Sequence, residues 1–319
     1  MRKSLLLVIF HLVVGTATIL TPNCTIPDDL NPNQLTVLIS GYSTHRLPLL
    51  RTLASFYATL PIISSVLILW GNPKTHPSLL TFPSTSSTAP IILIRNPTRS
   101  LNHRFHPHPQ IRTLAVLICD DDIQIPSLSI SFAFRTWQSH PDRIVGFFPR
   151  SHELDLESKS WIYTIHPDKH SIVLTKMMIV ASEYLWKYTC IEEGSGMERA
   201  RSVVKKERNC EDLLINFVVA MDSRKGPLLV GSNWVRDWGD TRNEKDEKIA
   251  KGKKKVAISE KEGHRRRRGM CIGEFHKALG IMPLRYSYGN FVEGVKEQGL
   301  CQKGGKLVRC DQVGRDHDQ

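Results

Sequence analysis

The sequence predicts an α/β domain with a mostly parallel central sheet flanked by helices. Three observations carry that expectation. Short, almost continuously apolar runs alternate with amphipathic stretches, as happens when strands are covered on both faces. The 319 residues, 41% of them apolar, suffice for one large core. No internal repeat and no second composition regime divides the chain, so a single domain is expected.

The elements follow in order. "LTVLISGY" from Leu35 reads as a strand, "PLLRTLASFYATL" as an amphipathic helix and "ISSVLILWGN" as a second strand, together a β-α-β unit. "APIILIRN" supplies a third apolar run and "TLAVLICDDD" a fourth. "PSLSISFAFRTWQSHP" is a helix, with Leu128, Phe132 and the Arg135 to Trp137 segment at helical spacing and Pro141 near its end. "RIVGFFPRSH" reads as another strand. In "CEDLLINFVVAM", Leu213, Leu214, Phe217 and Val218 share one helical face, and Glu211 and Asp212 fall in the first turn, where carboxylates suit the helix dipole. "CIGEFHKALGIMPLRYSYG" is helical and then extended, closing the domain. Trp137, Trp161 and Trp186 are read as core or groove-wall residues.

The ends and the charge set the compartment. "MRKSLLLVIFHLVVGTATIL" has a basic start, an apolar run and small residues near Ala17, so residues 1–20 form a signal peptide or a short anchor, with a stem over 21–34. If the leader is kept, the protein is membrane-associated. Asn23-Cys24-Thr25 fits an N-glycosylation site at Asn23. Seven cysteines in such a compartment predict disulfides with one thiol left over, and Cys301 and Cys310, which bracket a Gly-Gly turn, predict a local bridge. Zinc is not expected, because no C-x-x-C pair occurs. The net charge of +12 does not signal nucleic acid, since much of it sits in a polar loop, residues 240–268, that acids interrupt. Residues 313–319 form a tail.

Asp120, Asp121 and Asp122 follow the fourth apolar run directly. At the carboxyl end of a parallel strand, where open α/β sheets bind ligands, three adjacent carboxylates need positive charge. A hard divalent ion, Mn²⁺ or Mg²⁺ in its place, takes oxygen ligands and can hold a diphosphate as well. This D-x-D arrangement suits the GT-A nucleotide-sugar-binding fold. The competing reading is a cap on the helix that starts at Pro126-Ser127.

"VLICDDD", "FAFRTWQSHPDRIVGFFPRSH", "RNCEDLLINFVVA" and "MPLRYSYG" together resemble glycosyltransferase family 64, the exostosin-like group. "LVGSNWVRDWGD", "SIVLTK" and "GLCQKGGKLVRCD" are similar to its plant members, which act on glycosylinositol phosphorylceramides. The resemblance implies one GT-A domain over residues 35–312 that transfers a sugar with retention of configuration, helped by Mn²⁺. The implied donor is GDP-mannose or UDP-N-acetylglucosamine, and the implied acceptor a glycolipid or glycan. The implied location is the Golgi lumen or membrane, with secretion as the alternative.

Matched position by position, Asp122 would hold the metal with Asp120, while Asp120 and Asp121 would contact ribose or sugar hydroxyls. Asp212 falls on the family's functional carboxylate, with Glu211 beside it. Arg268, the fourth of four consecutive arginines, matches an arginine three residues before the family's cysteine; that cysteine, Cys271, would pair with Cys210. Arg104 and Asn72 match donor-binding positions, and Arg46 matches once a gap is allowed. Arg99 stands where the family has Asn, so Asn102 would take over that contact or the base pocket differs. The same departure keeps open a catalytically silent secretory protein that binds glycans or partners.

Overall fold

The apolar runs fold as strands and the amphipathic stretches as helices in a computed structural model that describes residues 24–82, 88–96, 98–239, 263–292, 300–303 and 306–309. β1 (Asn31–Gly41), β2 (Ile63–Trp70), β3 (Ile91–Arg95) and β4 (Thr113–Asp120) lie in the order β4-β1-β2-β3, all parallel. α1 (Leu47–Ala58) is the crossover between β1 and β2, burying Leu50, Leu53, Ala54 and Tyr57. Val37 to Ile39 and Ala115 to Cys119 are fully buried, which explains their unbroken apolarity.

Beyond β4 the sheet continues with Met177–Ala181, Val145–Gly146 and Leu228–Leu229, seven strands in all. Met177–Ala181 runs antiparallel to both of its neighbours, so the sheet is mostly but not wholly parallel. An apolar run buried on both faces reads alike in either direction, and this reversal has no sequence signal.

The remaining helices are α2 (Ser127–Gln138), α3 (Glu183–Thr189), α4 (Gly196–Glu207), α5 (Glu211–Ser223) and α6 (His264–Leu279). Three expectations are corrected here. α2 buries Ile130, Ala133, Phe134 and Trp137, whereas Leu128 is 66% exposed, so its inner face lies about half a turn from the expected one. α5 is buried on every side from Glu211 to Ala220, a core helix rather than a one-faced one. The arginine run at the end of the predicted charged loop is the first turn of α6.

"RIVGFFPRSH" does not form one strand. It contributes Val145–Gly146 to the central sheet and Pro149–Asp155 to a separate sheet with Ser160–Thr164 and Ile172–Val173. Pro149 offers no N–H to a central ladder, so the chain departs before it. Gly146 makes the departure fit: an added Cβ would lie 2.4 Å from Val173 Cγ1 and 2.8 Å from the Met177 carbonyl.

Disulfides join Cys24 to Cys190 and Cys210 to Cys271, and Cys119 is free and buried. The first pair was not anticipated, while Cys119 is the small buried hydrophobe that its place at the end of β4 predicts. Leu300–Lys303 pairs with Lys306–Arg309 as an antiparallel hairpin. The expected Cys301–Cys310 bridge lies outside the described residues, as do Asn23, the leader, residues 240–262 and the tail. No helix among the described residues is long and apolar enough to cross a membrane.

Gly146→Ala should destabilise the protein by about 1–3 kcal/mol through overpacking. Gly71→Ala, where the added atom meets only ordinary contacts at 3.6 and 3.7 Å, should stay within about 0.5 kcal/mol of wild type. Urea unfolding of the two variants checks the contrast.

Candidate active site

The carboxyl ends of the four parallel strands deliver most of the expected residues to one edge of the sheet. Arg46 lies in the 3₁₀ turn after β1, Asn72 follows β2, Arg104 sits in the 3₁₀ turn Leu101–Phe105 after β3, and Asp120 ends β4 beside Ser40 of β1. Tyr57 of α1 donates its hydroxyl to the Ile123 carbonyl at 3.1 Å, which pins the chain just past the acids. Asp122 does not cap α2: the N-cap is Pro126, with no side-chain bond, and the capping alternative falls.

The positive charge that the three carboxylates require comes first from the chain itself. Arg46 Nη1 lies 2.8 Å from Asp121 Oδ1 and 2.7 Å from Asp122 Oδ2. Arg104 is buried and reaches four elements. Its Nε donates to Ser40 Oγ at 2.9 Å, its Nη1 to Thr175 Oγ1 at 2.6 Å and to Glu211 Oε1 at 3.3 Å, and its Nη2 pairs with Asp120. These arginines do not balance the acids fully. Burial, reinforced by Asp120 and opposed by Arg46, holds the Asp122 carboxyl above the usual carboxylate range, and Asp121 and Asp237 push the same way. Asp237 is itself paired with Lys176 at 2.5 Å. Gly239 closes over this point, where an added Cβ would meet Asp122 Oδ2 at 2.3 Å.

The second half of the site is the start of α5. Cys210 precedes it in a left-handed conformation, φ 74°, which costs a non-glycine residue roughly 1–2 kcal/mol and is held by the bridge to Cys271. Cys271 lies one turn beyond Arg268 on α6, so the bridge brings Arg268 to the first turn of α5. Arg268 Nη2 lies 2.5 Å from Asp212 Oδ2, Nη1 donates to Asn209 Oδ1 at 3.1 Å, and the guanidinium sits 4.5 Å from the Tyr163 ring centroid. Arg268 is therefore buried, unlike the arginines before it. Glu211, between Arg104 and Asp212, is held above the usual carboxylate range by burial and then by Asp212, against the pull of Arg104.

A chain of ion pairs thus runs from Asp120 through Arg104 and Glu211 to the adjoining Asp212 and Arg268, with Asp121, Asp122 and Arg46 at its outer end. Two expected residues stand apart from it. Asn102 faces the other way, donating to the Arg201 carbonyl at 3.1 Å and accepting from the Tyr188 hydroxyl at 2.6 Å. Asn72 accepts from Lys74 N at 3.1 Å in its own turn. Arg99 is exposed and lies 5.7 Å from the Tyr42 ring centroid, at the end of β1. Sequence reading did not single out Ser40, Thr175, Tyr163, Asn209 or Asp237, although Thr175, Asn209 and Asp237 fall inside the quoted runs "SIVLTK", "RNCEDLLINFVVA" and "LVGSNWVRDWGD".

Residues 35–295 match the glycosyl transferase family 64 domain. The chain belongs to glycosyltransferase family 64. It is 51% identical over 289 residues to glycosyltransferase family protein 64 C3 of Arabidopsis thaliana, covering 88% of this chain and 87% of that one. It is 30% identical over 266 residues to glucosamine inositolphosphorylceramide transferase 1 of Oryza sativa subsp. indica, and 31% identical over 226 residues to exostosin-1a of Danio rerio. These alignments cover 82% and 70% of this chain but 33% and 29% of those proteins. Family 64 membership makes the protein a glycosyltransferase.

Arg104→Met, which strands the buried Glu211 carboxylate and unpairs the partly exposed Asp120, should cost about 3–5 kcal/mol. Arg46→Ala should cost less, about 1–2 kcal/mol, because the Arg46 side chain is 42% exposed and its removal lets water reach the two carboxylates it leaves. Equal losses in chemical denaturation would contradict this division of roles.

Proposed function

We propose that the protein is a retaining, metal-dependent glycosyltransferase that moves mannose or N-acetylglucosamine from a nucleotide sugar to a glycolipid, a glycosylinositol phosphorylceramide in particular. The observation that carries the reading is the buried Asp212–Arg268 pair tied through Glu211 and Arg104 to the carboxylates ending β4. Metal fits those carboxylates. Their oxygens are hard ligands, burial and then the neighbouring acids hold the Asp122 carboxyl above its usual range, and a two-carboxylate set leaves the other places to donor phosphate and water, since no group of three or more metal-type side chains gathers among the described residues. Asp122 and Asp120 would hold Mn²⁺, or Mg²⁺ in its place, which supplies positive charge to the leaving diphosphate.

Transfer breaks a bond to diphosphate while positive charge grows on the sugar, so the site must offer charge of both signs a few ångströms apart. Asp212, paired with Arg268, faces the developing sugar cation. Arg268 turns a planar fork to the leaving phosphate oxygens, a geometry that lysine cannot reproduce. Arg104 fixes the separation between the two carboxylate groups and orients Asp120. Arg46 is the mobile element of the set: half in solvent, it exchanges its carboxylate partners for donor phosphate. Asn72, beyond β2 and outside the ion-pair chain, would meet the base or ribose. The disulfides agree with work in the Golgi lumen, an oxidising compartment.

Asp212→Asn should lower the melting temperature, because buried Arg268 loses its charged partner, and, assayed on protein that is still folded, should lower transfer by at least about a hundredfold. GDP or UDP should raise the melting temperature only when Mn²⁺ is present, and the nucleotide that does so names the donor. A protein that responds to neither nucleotide, or an Asp212→Asn variant with wild-type turnover, would overturn the reading.

A further inference from the structure

Tyr163 serves two places at once. One is the stack beneath Arg268, and the other is a groove of about 1040 Å³ between the strand Ser160–Thr164 and α6. The groove exists because α6 approaches that strand closely: at Gly269 an added Cβ would lie 2.4 Å from the Trp161 carbonyl. Trp161 is held in its wall by an indole N–H bond to His276 Nδ1 at 3.1 Å.

The lining is strongly one-signed. Lys159, Arg265, Arg266 and Lys277 stand against one carboxylate, Glu274, and none of the four cations makes an ion pair among the described residues. Cations gathered on one concave surface repel one another, and an anion seated between them relieves that repulsion. The rim is apolar as well as basic. Met270 of the lining is 52% exposed, and Leu156, in the hairpin turn that also carries Lys159, is 79% exposed. Basic side chains interleaved with an indole and exposed aliphatic groups match a membrane surface, where phosphate and hydrocarbon lie within one side-chain length.

We propose that this groove seats the phosphate-bearing headgroup of an anionic membrane lipid and so presents the acceptor to Tyr163 and Arg268. The proposal rests on the glycolipid reading of the acceptor given above. It deepens that reading by placing the acceptor on the α6 side of the site, away from the β4 carboxylates.

The test compares binding of the full chain to phosphatidylcholine vesicles with and without phosphatidylinositol. The groove variant is Arg265→Gln/Arg266→Gln/Lys277→Gln, and a variant of equal charge elsewhere is Arg112→Gln/Lys187→Gln/Lys225→Gln. Each basic side chain near an anionic surface contributes about fivefold in affinity, so the groove variant should lose roughly a hundredfold on phosphatidylinositol vesicles. The matched variant should bind as wild type does. Retained binding by the groove variant, an equal loss in the matched variant, or full displacement by inorganic phosphate would each overturn the proposal. Binding to dextran sulfate without binding to the vesicles would assign the groove to an acidic glycan and overturn it too. Mn²⁺-dependent nucleotide binding, followed on the same proteins by thermal shift, separates the two readings. If nucleotide binds but vesicles do not, the groove proposal alone falls; if nucleotide does not bind, the transferase reading falls.

Discussion

One buried guanidinium governs the geometry of the site. Arg104 arrives on a short turn after β3, yet its five donors are spent on groups from β1, β4, the loop before Met177–Ala181 and the start of α5. Removing such a charge from water costs several kcal/mol, and only a full set of partners offsets it. A planar, always-charged fork meets that requirement, whereas a lysine in the same place would reach one partner at a time. Because every arm is occupied, Asp120 and Glu211 cannot shift independently. The carboxylates at the sheet edge and those on α5 behave as one rigid array.

Around that array the charges are layered. Arg268 and Asp212 form an inner pair with no solvent between them, while Arg46 forms an outer, half-exposed pair with Asp121 and Asp122. The inner layer sets geometry and the outer one exchanges with solvent. An array built this way is fixed by burial at its inner pair and open to water at its outer face.

Much of this was legible in the chain. The four apolar runs and the crossover helix placed Asp120 to Asp122 at the carboxyl edge of a parallel sheet, and the turns after those strands carry Arg46, Asn72 and Arg104. Periodicity reports burial, and burial was dense enough there to be unambiguous. What stayed hidden depended on direction or on distance in sequence. Nothing in "MMIVA" says that this strand runs backwards, and nothing local to Tyr163 or Thr175 says that an arginine lies against it. Arg268 could be singled out only through its offset from Cys271, since composition made four arginines equivalent. The similarity to family 64 supplied that offset, and the structure supplied its reason, one helical turn between the guanidinium and the sulfur. Asn102 shows the opposite limit. Two residues from Arg104, it points into a different neighbourhood, because a 3₁₀ turn sends such neighbours to different sides.

The Cys210–Cys271 bridge has a further consequence for how the protein matures. Asp212 and Arg268 are 56 residues apart along the chain, and bringing such distant positions together works against loop entropy unless a covalent link has already done so. Closing a loop of that size stabilises the folded form by roughly 4 kcal/mol on the chain-entropy argument. Oxidation of Cys210 and Cys271 therefore favours the inner pair, and a chain with both thiols reduced lacks the tether that holds the pair in register. Thiol chemistry acts as a licence: the Asp212–Arg268 pair gains its covalent tether only once Cys210 and Cys271 have been oxidised.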